Sequence, residues 1–209
     1  MMKLLDKLEK NRTLSREEWG LLLSHREEVS REDLYARARR TQQAVYGNRV
    51  YLRGLIEFTN YCRNDCYCCG IRRSNRSAQR YRLTEEEIYS CCASGYALGF
   101  RTFVLQGGED PAFPPERICA LVREIKRLYP DCAVTLSVGE FPREAYQAMF
   151  DAGADRYLPR HETACPAHYR ALHPPELSPE NRRRCLYDLK DIGFQVGCGM
   201  MVGLSLIHI

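Results

Sequence analysis

Residues 101–138 read RTFVLQGGEDPAFPPERICALVREIKRLYPDCAVTLSV. The run 101–106 is short and apolar and predicts a strand, and Gly107-Gly108-Glu109 turns the chain out of it. From 115 to 129, Ile118, Leu121, Val122, Ile125 and Leu128 recur at helical spacing. Residues 132–138 return to a strand. Strand, helix, strand is the unit of a parallel α/β fold. Moving outward, 50–58 (VYLRGLIEF) reads as a buried strand, and Thr84-Glu-Glu-Glu87 caps a helix to about residue 99. Downstream come a helix at 144–152, a short strand at 155–158, a helix from Ser178-Pro179 to about 191, and a strand at 195–202. Strands that are apolar throughout imply a sheet covered by helices. The rhythm by itself fits both an open doubly wound sheet and a (β/α) barrel.

Residues 1–48 read as an N-terminal helical extension. Ser15-Arg-Glu-Glu18 is a capping box followed by Trp19, Leu22 and Leu23, and Ser30 opens a helix carrying Leu34, Ala38 and Val45 that ends near Gly47-Asn48. The remainder divides into an incomplete barrel at 49–203 and an atypical tail at 204–209. A complete (β/α) barrel takes roughly 250 residues, so a 209-residue chain ending on a strand is expected to be a fragment with an unprotected edge.

With 44% hydrophobic and 28% charged residues the chain is globular, and a net charge of +4 is too mild to argue for nucleic acid. Eleven cysteines follow a charged amphipathic start, MMKLLDKLEK, rather than a signal peptide. Reduced thiols in a cytoplasmic protein are the expectation. The weakly polar stretch 196–207 is well short of the ~20 residues needed to span a membrane.

Cys62-Arg-Asn-Asp-Cys66-Tyr-Cys68-Cys69 follows the first strand directly, where parallel α/β folds gather ligands. Cys62, Cys66 and Cys69 make a C-x3-C-x2-C pattern. Three thiolates on one loop can hold three irons of a [4Fe–4S] cube and leave the fourth open. A zinc site and ordinary free thiols are the rival readings of this loop, although zinc usually takes four ligands in two pairs. Gly107-Gly108-Glu109-Asp110-Pro111 is either a plain strand-to-helix turn or a cradle for a ligand ammonium group.

Taken together, these motifs resemble the radical S-adenosylmethionine (SAM) superfamily, with its cysteine motif after the first barrel strand and a GGE-type motif after the second. Closer still, Tyr61-Cys-Arg-Asn-Asp-Cys66, residues 103–111 (FVLQGGEDP), 135–140 (TLSVGE), Arg160-His-Glu-Thr-Ala164 and 195–203 (QVGCGMMVG) resemble the HydE family of [FeFe]-hydrogenase maturases, in the biotin synthase-like branch. The tail after Gly203 departs from that pattern, Pro159 replaces a usual aliphatic residue, and Cys68 holds the position usually aromatic, with Tyr67 one place earlier.

The resemblance implies a partial (β/α) TIM-type barrel after the N-terminal helices. It implies a [4Fe–4S] cluster on Cys62, Cys66 and Cys69 that cleaves SAM to methionine and a 5′-deoxyadenosyl radical. Gly107, Gly108 and Glu109 would hold the SAM ammonium group, Ser137 would contact SAM, Glu162 would take the ribose hydroxyls, and Arg182 would pair with the SAM carboxylate. Its neighbours Arg183 and Arg184 compete for that last role. Tyr67 is the aromatic available to the adenine. Arg53 and Arg160 would face the substrate as catalytic residues, with arginine suited to anionic or metal–cyanide groups. The family's substrate is an iron–carbonyl–cyanide–cysteine complex from the partner maturase HydG, and an electron donor is a further partner. Relatives of the same branch offer alternatives, namely a methylornithine synthase (PylB)-like isomerase or a biotin synthase-like sulfur transferase. A non-catalytic iron–sulfur carrier is the alternative of a different class.

Plainer readings stand beside these. Glu162 also suits a helix cap and Arg182–Arg184 a solvated helix face, and His161 reads as structural. Arg72, Arg73, Arg76, Arg80 and Arg82 lack the stacking motif that RNA binding would need. Cys91, Cys92, Cys119, Cys165 and Cys185 fall on predicted helices as small core residues.

Overall fold

A computed structural model describes residues 1–202. The chain forms two compact units, Met1–Tyr51 and Leu52 onward.

Three helices make the first unit: α1 (Met2–Asn11), α2 (Arg16–Ser24) and α3 (Arg31–Tyr46). Leu5, Leu14 and Leu22 form its small core, while Trp19 and Leu23 stay exposed, so only Leu22 of the expected α2 face is buried. The capping box at Ser15 is complete: Glu18 N–H donates to Ser15 Oγ at 3.2 Å, and Ser15 N–H donates to Glu18 Oε2 at 2.9 Å. Ser30 caps α3 by the same logic, and Gly47 ends it at φ 62°.

The second unit alternates strand and helix: β1 (Gly54–Thr59), α4 (Glu85–Ala97), β2 (Thr102–Gly107), α5 (Pro115–Leu128), β3 (Ala133–Ser137) and α6 (Arg143–Asp151). Then come β4 (Arg156–Tyr157), α7 (Pro166–Leu172), α8 (Pro179–Ile192) and β5 (Gln195–Val196). The five strands are all parallel and lie in the order β1-β2-β3-β4-β5. That order decides between the two folds the rhythm allowed. A doubly wound sheet reverses its strand order at a switch point, which divides its helices between two faces. Here the order never reverses, and right-handed crossovers, the rule for such connections, would keep the helices that join these strands on one face. This sequential parallel order is that of part of a (β/α) barrel.

Packing follows from strand alternation. Phe103 and Leu105 of β2 and Val134 and Leu136 of β3 face the helices and meet Ile88, Ile118, Val122 and Ile125. Each such fully buried apolar side chain contributes about 1.5–3 kcal/mol. The other face is polar at its C-terminal end: Glu57, Gln106 and Ser137 stand in register across β1, β2 and β3.

The structure corrects several boundaries. β1 begins at Gly54, not residue 50: Gly54 pairs with Phe103, one residue inside β2, so residues 50–52 run past the start of β2 at Thr102. β5 is two residues long instead of reaching 202; Gly197 and Gly199 follow it, and Met200 meets the chain again through a bridge to Glu162. Cys92, Cys119 and Cys185 are core residues as expected, but Cys91 and Cys165 are exposed. The expected tail at 204–209 lies outside the described residues.

Candidate functional site

Parallel strands all end on the same rim, and the loops leaving β1 to β4 there enclose one open cavity of about 420 Å³. Cys62, Cys66 and Cys69 line it, and so do Gly107, Gly108 and Glu109 from the loop after β2. Ser137 at the end of β3, Arg160 and Glu162 after β4, and Arg182 on α8 complete the wall. Ten of the twelve residues singled out from sequence therefore share one cavity, although they are spread over 120 positions of chain.

Two expected residues stand elsewhere. Arg53 precedes β1 and is exposed, in a separate hollow with Ser90 and Cys91 at the opposite end of the six-residue strand. Six residues of strand put it about 20 Å from the cysteine loop. The reading that placed it inside the barrel assumed a strand that started earlier. Tyr67 is 61% exposed and does not line the cavity; its backbone N–H donates to Leu172 O at 2.9 Å, which turns the residue outward. Cys68, at the position usually aromatic, faces the cavity instead.

Hydrogen bonds from within the chain define the cysteine loop. Arg80 donates to four backbone carbonyls that bracket it: Asn60 at 2.5 Å, Ile71 at 2.9 Å, Arg72 at 2.7 Å and Asn75 at 3.1 Å. Asp65 accepts Ser74 N–H at 2.9 Å, and Arg73 N–H donates to Asn64 O at 2.9 Å. Burial, reinforced by neighbouring Cys68, Cys62 and Cys69, pushes the Cys66 thiol up to about 12. Burial also raises the Cys62 thiol, against the pull of the Asn64 and Glu109 N–H groups. A bundle of thiols that disfavour one another's charge is a bundle that a cation would stabilise. Among the described residues, no three His, Cys, Asp or Glu side chains converge as a single-ion site. Thiolates that each take a separate iron of a cube need no such convergence, so the donor set is compatible with a cluster.

Glycine makes the next wall possible. A Cβ on Gly108 would lie 2.2 Å from Tyr61 O, and one on Gly139 (φ +99°) would lie 2.0 Å from Glu109 Cγ. Both positions must be bare for the cysteine loop and the Glu109 side chain to pass. Glu109 is buried; its Oε2 accepts Arg63 Nε at 3.1 Å and Nη2 at 2.9 Å, and its Oε1 accepts Glu140 N–H at 3.0 Å. Neighbouring Asp110 serves the fold. Its carboxylate takes Arg82 at 2.7 and 2.9 Å and Thr59 Oγ1 at 2.7 Å, and Arg82 also lies over the Tyr61 ring.

The structure also separates the three arginines of α8. Arg182 points inward, with Nε 2.5 Å from Glu140 Oε1 and Nη1 donating to Arg160 O at 3.1 Å. Arg183 is exposed, and Arg184 pairs with Asp188 on the outer face. Burial works against the Arg182 charge, yet Glu140, Tyr169 and Glu109 together hold its pKa above the ordinary value. Glu162 carries a left-handed backbone, φ 59°, pinned by Glu162 N–H to Gly199 O at 3.1 Å and Met201 N–H to Glu162 O at 3.1 Å. That conformation costs a non-glycine residue about 1–3 kcal/mol and aims the side chain where a regular turn would not.

Sequence reasoning missed His173, Glu57 and Gln106, all in the cavity wall. His173 stacks on Tyr169 with ring centres 3.9 Å apart, and its Nδ1 sits 2.9 Å from Tyr169 O. A carbonyl accepts, so Nδ1 carries the proton and Nε2 is left as an acceptor. Burial lowers the His173 pKa, which keeps the ring neutral. A histidine before a proline carries no local signal of such a role. Glu57 and Gln106 were readable in principle as polar positions in apolar strands.

The family model of the radical SAM superfamily matches residues 56–205. The [FeFe] hydrogenase maturase subunit HydE of Thermotoga maritima is 45% identical over 201 residues, which is 96% of this chain and 57% of that protein. Among solved structures, methylornithine synthase (PylB) superposes with a TM-score of 0.85 at 30% identity, covering 97% of this chain and 60% of its own. HydG, a maturase of the [FeFe]-hydrogenase, superposes with a TM-score of 0.81 at 25% identity, covering 98% of this chain and 46% of its own. The chain thus spans a little under two thirds, or less, of the proteins it resembles.

Proposed function

This chain belongs to the radical SAM superfamily, and on that premise we propose that it carries the cluster- and SAM-binding part of a HydE-like enzyme of hydrogenase maturation. The carrying observation is that three motif thiols and a set of ammonium-, hydroxyl- and carboxylate-binding groups line a single cavity. Cys62, Cys66 and Cys69 would hold a [4Fe–4S] cluster, whose fourth iron has no protein ligand in the motif. Held by these three residues, such a cluster would supply the one-electron reduction, with the electron coming from an external donor, that cleaves SAM to methionine and a 5′-deoxyadenosyl radical.

The chain's own residues bind and orient. The buried Glu109 carboxylate suits the methionine ammonium group, and the bare backbone at Gly107 and Gly108 lets that group approach closely. Arg182 presents a planar cation for a carboxylate, held in place by Glu140 behind it. Glu162 suits two vicinal hydroxyls, which a carboxylate accepts in pairs. Ser137 donates to Leu158 O at 3.2 Å and keeps acceptor capacity for the ligand. Arg160, exposed on the open side of the cavity, would meet an anionic substrate.

An iron–carbonyl–cyanide–cysteine complex handed over by HydG is the substrate in this reading, with an electron donor as a further partner in a reducing cytosol. All eleven cysteines are free, in keeping with such a compartment. Among the described residues no helix is long and apolar enough to cross a membrane. The PylB superposition favours a second reading, an isomerase acting on an amino acid. A carrier of electrons alone would need no Glu109–Glu162–Arg182 set.

One experiment tests the core of the proposal. Glu109→Ala in the anaerobically reconstituted protein should weaken SAM binding at least about tenfold, a loss of ~1.4 kcal/mol, with iron content unchanged. Unaltered SAM affinity would remove Glu109 from the site.

A further inference from the structure

Arg63 sits between the first two motif cysteines, yet its side chain does not enter the thiol cavity. It lies in a separate hollow with Pro111, Phe113 and Pro114, and it is 60% exposed. From there it reaches Glu109 from behind, with Nε at 3.1 Å and Nη2 at 2.9 Å from the same oxygen. The backbones meet as well, since Arg63 N–H donates to Glu109 O at 2.9 Å.

We propose that Arg63 is a positioning residue: it fixes the Glu109 carboxylate in the orientation that receives the ligand's ammonium group, and so ties the cluster loop to the SAM subsite. The proposal rests on reading the cavity as a SAM site. A carboxylate has about four acceptor positions. Arg63 uses two and Glu140 N–H a third, all from protein, so Glu109 enters the cavity with its rotamer settled and acceptor capacity in reserve. Without Arg63, the carboxylate would have one backbone donor left and a buried charge to reorient toward whichever cation is near.

The alternative is that Arg63 merely stabilises the fold. Removing Arg63 leaves the buried Glu109 charge short of donors on either reading, so SAM affinity at equal iron content, not melting, separates the two. The two glycines argue for a built joint: at Gly108 a side chain would strike Tyr61 O and Cys62 Cβ, and at Gly139 it would strike Glu109 itself.

The experiment is a double-mutant cycle on the reconstituted chain, reading SAM affinity, iron per chain and thermal melting for the wild type, R63Q, E109Q and R63Q/E109Q. Arg63→Gln should weaken SAM binding about tenfold with iron content unchanged, whatever the change in melting, and Glu109→Gln should weaken it further. The double variant should bind no worse than E109Q, because Arg63 acts only through that carboxylate. Arg63→Lys keeps the charge but not the two-pronged grip, and should recover only part of the loss. Wild-type affinity in R63Q, or losses that multiply in the double variant, would overturn the inference while leaving the SAM reading intact. A wild type that holds iron and binds no SAM would overturn both.

Discussion

Glu162 and Arg12 are the described residues other than glycine that hold a positive φ, and only Glu162 lies in the cavity wall. Strain at a carboxylate that shares a cavity with four thiols is a sign that the side chain's direction matters more than the local backbone cost. Glu162→Gly should therefore raise the melting temperature slightly or leave it unchanged while weakening SAM binding, as calorimetry and ligand titration can show. Asp110 is the contrasting carboxylate. Burial works to raise its pKa, but Arg82, the Ala112 N–H and Thr59 outweigh burial and hold it below the ordinary 3.8. A carboxyl held low in the fold stabilises the protein above its ordinary pKa and loses that contribution as pH falls through the lowered value. Asp110→Asn should cost about 1–3 kcal/mol near neutral pH, and the gap to wild type should narrow as pH drops below 4. A gap that stays constant in pH-dependent melts would mean that the ion pair contributes little. Most of the site's residues were legible because function put unusual types in fixed places, such as cysteines in a spaced trio and a carboxylate after two glycines. His173 and Arg63 were not, because their roles depend on partners 4 and 46 positions away, Tyr169 and Glu109, that no local pattern names.

At the scale of elements, the loop from β1 to α4 carries the cluster motif and Arg80 closes it. Arg80→Ala removes donors to four carbonyls at once and should lower iron retention against a chelator several-fold. The barrel core does not depend on those bonds, so far-UV circular dichroism should stay as in wild type; a loss of helix and strand together would assign Arg80 to folding. In the sequence this arginine is only one of a cluster without a stacking motif, since a guanidinium that binds only backbone leaves no partner in the sequence to notice. Gly139→Ala should be disruptive for a stated reason: φ +99° and a Cβ 2.0 Å from Glu109 Cγ. The strained backbone alone costs about 1–3 kcal/mol, and displacement of Glu109 should weaken SAM binding in parallel. Helix starts were the most legible elements, because Ser15 and Thr84 carry capping boxes that the structure reproduces. Strand ends were the least legible. Where β1 begins depends on where β2 begins, and periodicity within one strand does not contain that information.

For the whole molecule, strand order settles what strand rhythm left open. The same alternation of elements would build an open sheet with helices on two faces, and the sequential parallel order builds part of a barrel with the cavity at its rim. β2 and β3 are paired on both sides, and β5 is two residues long. Amide exchange should accordingly be slowest in β2 and β3 and fast in β5; uniform protection would contradict the strand order as described. The central claim is that three thiolates on this rim hold a cube with one iron open to SAM. The most direct measurement is electron paramagnetic resonance of the reduced, anaerobically reconstituted protein with and without SAM. A [4Fe–4S] signal whose g-values shift when SAM is added, and which is lost in Cys66→Ala, is the predicted result. A signal indifferent to SAM, or a protein that takes up one zinc and no iron, would contradict it.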